Sequence, residues 1–159
     1  MRKALLAFMV GVLCCSTANA NVDTEKEVRA AVDRFIRAFN NLDWPVFRLA
    51  FDEDVTVFNP DIPETTLLHR LDGRQQVESA FAAVFSATRQ KSSGPPYLHI
   101  DPRNLRVQVY GPTAIVTFEF GREGGSFGRR TLVLHRAREG KWKIVHIHAS
   151  KRKSWRLTE

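Results

Sequence analysis

Four long strand patterns crowd the second half of this chain, and they constrain its fold more than any other feature. Residues 98–110, 113–122, 127–138 and 141–150 are rich in β-branched and aromatic residues. Gly111-Pro112, Gly124-Gly125 and Glu139-Gly140 separate them. Short turn dipeptides between extended runs predict an antiparallel meander. Because side chains alternate along a strand, Leu105, Val107 and Val109 share one face, and so do Ala114, Val116, Phe118 and Phe120. Apolar residues also occupy opposite positions: Ile115, Val133, Ile144, Val145 and Ile147. A sheet apolar on both faces must be covered on both. Helices can cover one face, and a second copy of the chain is the economical cover for the other.

The first half supplies those helices. Residues 23–39 place Val28, Ala31, Val32, Phe35, Ile36 and Phe39 at helical spacing among charged residues. Thr24 followed by Glu27 reads as a capping box. Asn40-Asn41 stops this helix. Asp43 then caps a shorter one, with Pro45 in its first turn, where a missing N–H costs nothing. Asp52-Glu53-Asp54 is expected to end it and Val55 to Phe58 to begin a strand. After a loop with two prolines, residues 65–71 are expected to pair with that strand as a hairpin. Asp72-Gly73 turns the chain into a third helix, with Val77, Ala80, Phe81, Val84 and Phe85 on one face. This order predicts an α+β fold, with helices on one side of a curved sheet and a concave pocket between them.

The start of the chain reads as an export signal. Arg2 and Lys3 precede the short apolar run from Ala4 to Leu13, and Ala18-Asn19-Ala20 provides small residues for cleavage after Ala20. The run is too short to span a bilayer, which needs ~20 apolar residues, and no other segment is apolar enough. The rival reading, a lipid anchor on Cys14 or Cys15, lacks the small residue expected just before such a cysteine. Cleavage leaves 139 of the 159 residues, and both cysteines go with the signal. That excludes a disulfide framework, thiol chemistry and cysteine metal sites in the mature chain. The expected organisation is a signal at 1–20, one domain at 21–150 and a basic tail at 151–159. The formal charge of +7 becomes +5 without Arg2 and Lys3. Much of that excess is Lys151, Arg152, Lys153 and Arg156. A basic tail can bind phosphate, anionic lipid or acidic protein, although solvated tails are commoner. The rest of the domain is close to neutral, so no nucleic-acid footprint is expected.

Several segments, in order, resemble the nuclear transport factor 2-like superfamily in its SnoaL-like branch, over about Val22 to Lys151. Phe39-Asn40-Asn41-Leu42-Asp43-Trp44 is similar to the family's junction between its first two helices. Phe51-Asp52-Glu53-Asp54-Val55 resembles its approach to the first strand, and Leu71-Asp72-Gly73-Arg74 its start of the third helix. Gly140 to Ser150, with His146-Ile147-His148, closely resembles the last strand of the calcium/calmodulin-dependent protein kinase association domain. The resemblance implies a cone-shaped α+β fold, three N-terminal helices packed on a strongly curved antiparallel sheet, dimeric through that sheet. It implies no single chemistry, since isomerases, cyclases, dehydratases and non-catalytic members share the fold. The arginine that follows His-x-His in the kinase domain is Ala149 here, which removes one contact for an anionic ligand.

No metal site is expected. His146 and His148 share a strand face, but a metal needs further converging ligands and none is marked by spacing. Packing or hydrogen bonding at the outer sheet face is the plainer role. No cofactor loop, nucleophile elbow or His-Glu-x-x-His motif is present, and neither Tyr97 nor Tyr110 sits in an isomerase-like motif. The candidate ligand-binding residues are Trp44, Phe58 and Phe85 as apolar walls, with His69, Glu119 and Arg130 as polar groups. The aromatic residues can equally be core. Glu119 and Arg130 can equally be a structural cross-strand pair, and Glu119 leaves the site if Phe118 and Phe120 face the cavity. Three functional readings stay open. One is a dimeric, exported binding module for a small apolar or amphipathic ligand, without assignable catalysis. The others are an isomerase, cyclase or dehydratase-type enzyme, and an oligomerisation or interaction domain.

Overall fold

A computed structural model describes residues 14–59, 70–121 and 127–152. Helix α1 (Cys14–Asn40) leads through Leu42, at φ 52°, into the short α2 (Trp44–Arg48). Strands β1 (Phe51–Phe58) and β2 (Leu71–Asp72) follow, then α3 (Arg74–Lys91). Four strands complete the fold: β3 (Arg103–Tyr110), β4 (Thr113–Gly121), β5 (Phe127–Arg136) and β6 (Trp142–Arg152). All six strands form one sheet in the order β2-β1-β6-β5-β4-β3.

The turn chemistry acts as the sequence predicts. Asp43 caps α2, its carboxylate accepting from the Val46 N–H at 3.3 Å, and Pro45 sits in the first turn. Gly73, at φ 78°, starts α3 while its N–H donates to the Val55 carbonyl at 2.8 Å. A side chain at that φ would be strained.

Four expectations are corrected. The sheet is mixed rather than antiparallel, because β1 pairs parallel to β6, with Thr56 opposite His146 and Phe58 opposite His148. Strand β1 begins at Phe51, so Asp52, Glu53 and Asp54 belong to the strand and do not end a helix. Their charge is tolerable because Glu53 and Asp54 are exposed while Phe51, Val55 and Val57 point inward. Thr24 lies inside α1 and so cannot act as an N-cap, which requires non-helical backbone. Finally, a bulge between Val133 and Leu134 in the β5–β6 register lets Ile144 and Ile147 both face the core. Those two residues therefore do not add to the outer apolar face.

The core lies between the helices and the concave face of the sheet. Phe47 is its centre, with its ring 4.9 Å from that of Phe85, 5.0 Å from Phe51, 5.1 Å from Phe81 and 5.4 Å from Phe35. Each fully buried phenylalanine contributes about 1.5–3 kcal/mol by burial alone. Asn40, at the end of α1, pins the chain that precedes β3. Its amide donates to the Ile100 carbonyl and accepts from the Ile100 N–H, both at 2.9 Å, and its carbonyl accepts from the Tyr97 N–H at 2.8 Å. Among the described residues, no helix is long and apolar enough to cross a membrane.

Candidate functional site

Alternation along β4, β5 and β6 decides which side chains enter the cone. Phe118, Leu132, Ile147 and Ala149 are buried and point inward. Together with Phe35, Ile36 and Phe39 from α1, Phe81 from α3, and Val57 and Ile100, they enclose a cavity. Arg130 and Asn59 are its polar lining residues. The cavity holds about 40 Å³, enough for a few waters and far below the roughly 300 Å³ of a typical small-ligand site. Phenylalanine rings occupy most of the cone.

Arg130 enters the cavity because it lies opposite Phe118 across the β4–β5 pair. Its guanidinium stacks over the Phe120 ring, 4.8 Å from the centroid, and donates to the Arg129 carbonyl at 2.9 Å. Such a stack holds the charge at a fixed place on an apolar wall. Phe120 can lie flat there because its cross-strand partner is Gly128; a β-carbon at Gly128 would overlap the ring.

Five of the six sequence candidates are described, and the structure does not bring those five together. Arg130 lines the cavity. Glu119 is on the outer face, since Phe118 and Phe120 point inward, and it pairs with Arg129 at 3.2 Å rather than with Arg130. Its register partner was misassigned by one residue, which changes the face. Phe85 is buried in the core and Trp44 packs edge-on against it at 5.7 Å. Both border a separate surface hollow with Ala82 and Arg89. Phe58 is on the outer face, 36 % exposed, with its ring 6.0 Å from both His146 and His148. His69 lies outside the described residues, as do the loop before it, the Gly124-Gly125 turn and residues 153–159.

The missed lining residues, Phe35, Phe39, Phe81 and Phe118, all carry a visible apolar signal. It is the same signal that core residues carry, so sequence alone cannot separate wall from core. Among the described residues lining the cone there is no carboxylate, imidazole or phenol, the groups that commonly move protons. No group of three or more His, Cys, Asp or Glu among the described residues is placed to hold a metal.

The outer face has its own chemistry. Ile115, Val133, His146 and Thr56 form one row across four strands, and Thr117, Thr131, His148 and Phe58 form the next. The Thr56 hydroxyl and His146 Nδ1 are 2.7 Å apart and share a hydrogen bond. Burial, and then the nearby His148, push the His146 pKa below its ordinary value. The flanking row holds the Glu119–Arg129 pair, and Asp72 on β2 and Arg106 on β3 end the two rows, so charge lies around the edges of this patch.

A larger depression of about 490 Å³ lies between α1, α2 and the start of β6. Its Glu27 is already engaged by Arg136 at 2.7 Å and by the Trp142 indole at 3.2 Å. Those contacts tie α1 to the β5–β6 hairpin.

Residues 28–152 match the family model described as the SnoaL-like domain. No characterised protein with a curated description matches significantly. Solved structures share the fold. A nuclear transport factor 2-like superfamily protein from Salmonella enterica aligns at TM-score 0.64 and 20 % identity, over 87 % of this chain and 98 % of that one. A ketosteroid isomerase-like protein from Erwinia carotovora atroseptica aligns at 0.62 and 17 %, over 83 % and 98 %. The CaMKII hub of S. rosetta aligns at 0.60 and 25 %, over 80 % and 96 %.

Proposed function

Since the chain belongs to the SnoaL-like domain family, we propose that it works as an exported, non-catalytic binding module. In this reading it dimerises through the outer face of its sheet and takes a small amphipathic molecule into its cone. The observation that carries the ligand reading is the uneven lining of the cone. Its walls are aromatic and aliphatic, while Arg130 and Asn59 are the polar described residues on it. A ligand with one polar group and an apolar body matches that division. Occupancy requires the Phe35, Phe39 or Phe118 rings to rotate away, because the present space is about 40 Å³.

The dimer reading draws on the two outer rows, where isoleucine, valine, threonine and histidine replace charge. A two-fold axis through such a patch is self-complementary. Export draws on the charged start, short apolar run and Ala18-Asn19-Ala20. The isomerase reading has less support, because the described lining offers no general base.

The small cavity also favours a second reading, an assembly domain with a filled cone. The hub domain among the structural neighbours fits this alternative. Native mass spectrometry of protein purified from its own host separates the two. A dimer that releases a small molecule on denaturation supports the first. A dimer without ligand in repeated preparations supports the second, and a monomer sinks both.

A further inference from the structure

Helix α1 presents two different stripes. Val28, Val32 and Ile36 are buried in the core, whereas Glu27, Ala30, Ala31 and Arg34, spaced three and four apart, border the depression beside α2 and β6. The two alanines leave that space open. It holds about 490 Å³, against about 40 Å³ in the cone, and lies within the roughly 300–1,000 Å³ of small-ligand sites. Among the described residues, Phe35 alone borders both spaces.

The charge around the depression is one-sided. Arg34, Lys141 and Lys143 border it, with Glu27 as the one carboxylate among the described residues. Glu27 is already committed to Arg136 and to the Trp142 indole. The three cations have no matching anions. Arg34 and Lys141 make no ion pair among the described residues. The Lys143 ammonium donates to the Leu49 carbonyl, a neutral acceptor that fixes its place and leaves its charge uncancelled. A cleft lined by one sign of charge, with apolar walls, concentrates its field on whatever enters it.

The walls are apolar. Val46 and Leu49 border the depression from α2 and its C-cap, and Leu49 is 58 % exposed. Leu134 and Ile144 line it from the sheet and are buried. These properties select the occupant. An inorganic anion would leave Leu49 in water, and an uncharged apolar molecule would leave three cations unanswered. The depression is bordered by 14 residues, fewer than the roughly 20–30 a side of a stable protein interface, so a small molecule fits it better than a folded partner.

We infer that this depression binds a small organic anion with an apolar body, of the aromatic or medium-chain carboxylate class. The Arg34 guanidinium offers two parallel N–H donors that match a carboxylate. Lys141 and Lys143 add positive charge, and the apolar body covers Val46 and Leu49. The inference depends neither on a ligand in the cone nor on the dimer.

Calorimetric titration with 2-naphthoate tests it, using the protein purified from its own host and 2-naphthylmethanol as the uncharged counterpart. At low salt the carboxylate should bind at one site per chain, and the alcohol at least tenfold more weakly. Arg34→Gln should weaken naphthoate binding roughly tenfold, as expected for the loss of a charge-assisted hydrogen bond. Lys141→Gln, at an exposed position, should weaken it several-fold. Ala30→Leu retains the charge and a good helix former but fills the space, and should remove binding. Thermal melts of the three variants should stay close to wild type, since each change lies on the surface. No binding of naphthoate, equal binding of the alcohol, or wild-type affinity in Arg34→Gln or Ala30→Leu would each overturn the inference. Affinity lost in Arg130→Gln but kept in Arg34→Gln would also overturn it, by placing the ligand in the cone.

Discussion

Phe120 and Gly128 face each other across β4 and β5, and the phenyl ring occupies the space a β-carbon on Gly128 would need. Arg130 stacks over the same ring, 4.8 Å from its centroid. Gly128→Ala should therefore push Phe120 off the strand and release Arg130. The expected cost is about 1–3 kcal/mol, as for overpacking in a core, read as a lower urea midpoint. A midpoint equal to wild type would show that the ring moves freely.

Phe47 touches five other phenylalanine rings within 5.6 Å of its own. Phe47→Ala should cost about 3–5 kcal/mol, and Phe47→Leu clearly less. Chemical denaturation of the two variants gives the comparison. Equal small losses for both would mean that the cluster is not the centre of the core.

Asn40→Asp keeps the acceptor for the Ile100 N–H but loses the donor to the Ile100 carbonyl. Asn40→Ala loses both and should cost more, about 1–3 kcal/mol. Hydrogen exchange should show faster opening around residues 97–100 in the alanine variant first. Protection unchanged there would break the link between α1 and this segment.

The lowered pKa of His146 gives a sign to the pH dependence. The folded state resists protonating this ring more than the unfolded state does. Its contribution is intact above the unfolded value of about 6.5 and is lost as pH falls from there toward the lowered folded value. Stability, and with it the proposed dimer, should drop as pH falls below about 6.5. His146→Gln should flatten part of that drop. An unchanged slope would remove the histidine from the account.

Glu119→Gln should alter the outer face and leave the cone untouched. The Glu119 and Arg129 side chains are 43 % and 49 % exposed, so their pair is worth at most about 1 kcal/mol. Val133→Asp, in the middle of the same face, should yield a folded monomer by light scattering. A ligand that binds Glu119→Gln more weakly, with dimer mass intact, would return Glu119 to the site.

The residues differ in how much they reveal unaided. Asp43 with Pro45, and the spacing of Val77, Phe81 and Phe85, announce α2 and α3 because capping and amphipathic burial are local. The turns between β3 and β4 and between β5 and β6 are legible for the same reason. The parallel neighbour of β1 is not, since nothing near Thr56 indicates His146. Register is equally hidden: the partner of Glu119 changes from Arg130 to Arg129 with a one-residue slip, and that slip changes the face. The bulge that turns both Ile144 and Ile147 inward breaks strict alternation, so counting by twos misplaces them. The cone walls escape notice because Phe35, Phe39, Phe81 and Phe118 differ from core residues only by bordering a gap.

The place of β6 in the sheet also sets a timetable. It is the sixth strand in the chain but the third in space, wedged between β1 and β5. Thr56 must wait for a partner 90 residues downstream. Until that stretch emerges, β1 has one unpaired edge and the two parts of the sheet have nothing to join them. Assembly therefore cannot advance smoothly from the amino end; it stalls and then closes late, as expected where distant contacts dominate. A chain that stays open until β6 arrives remains threadable for longer, as the proposed export through a translocation channel would require.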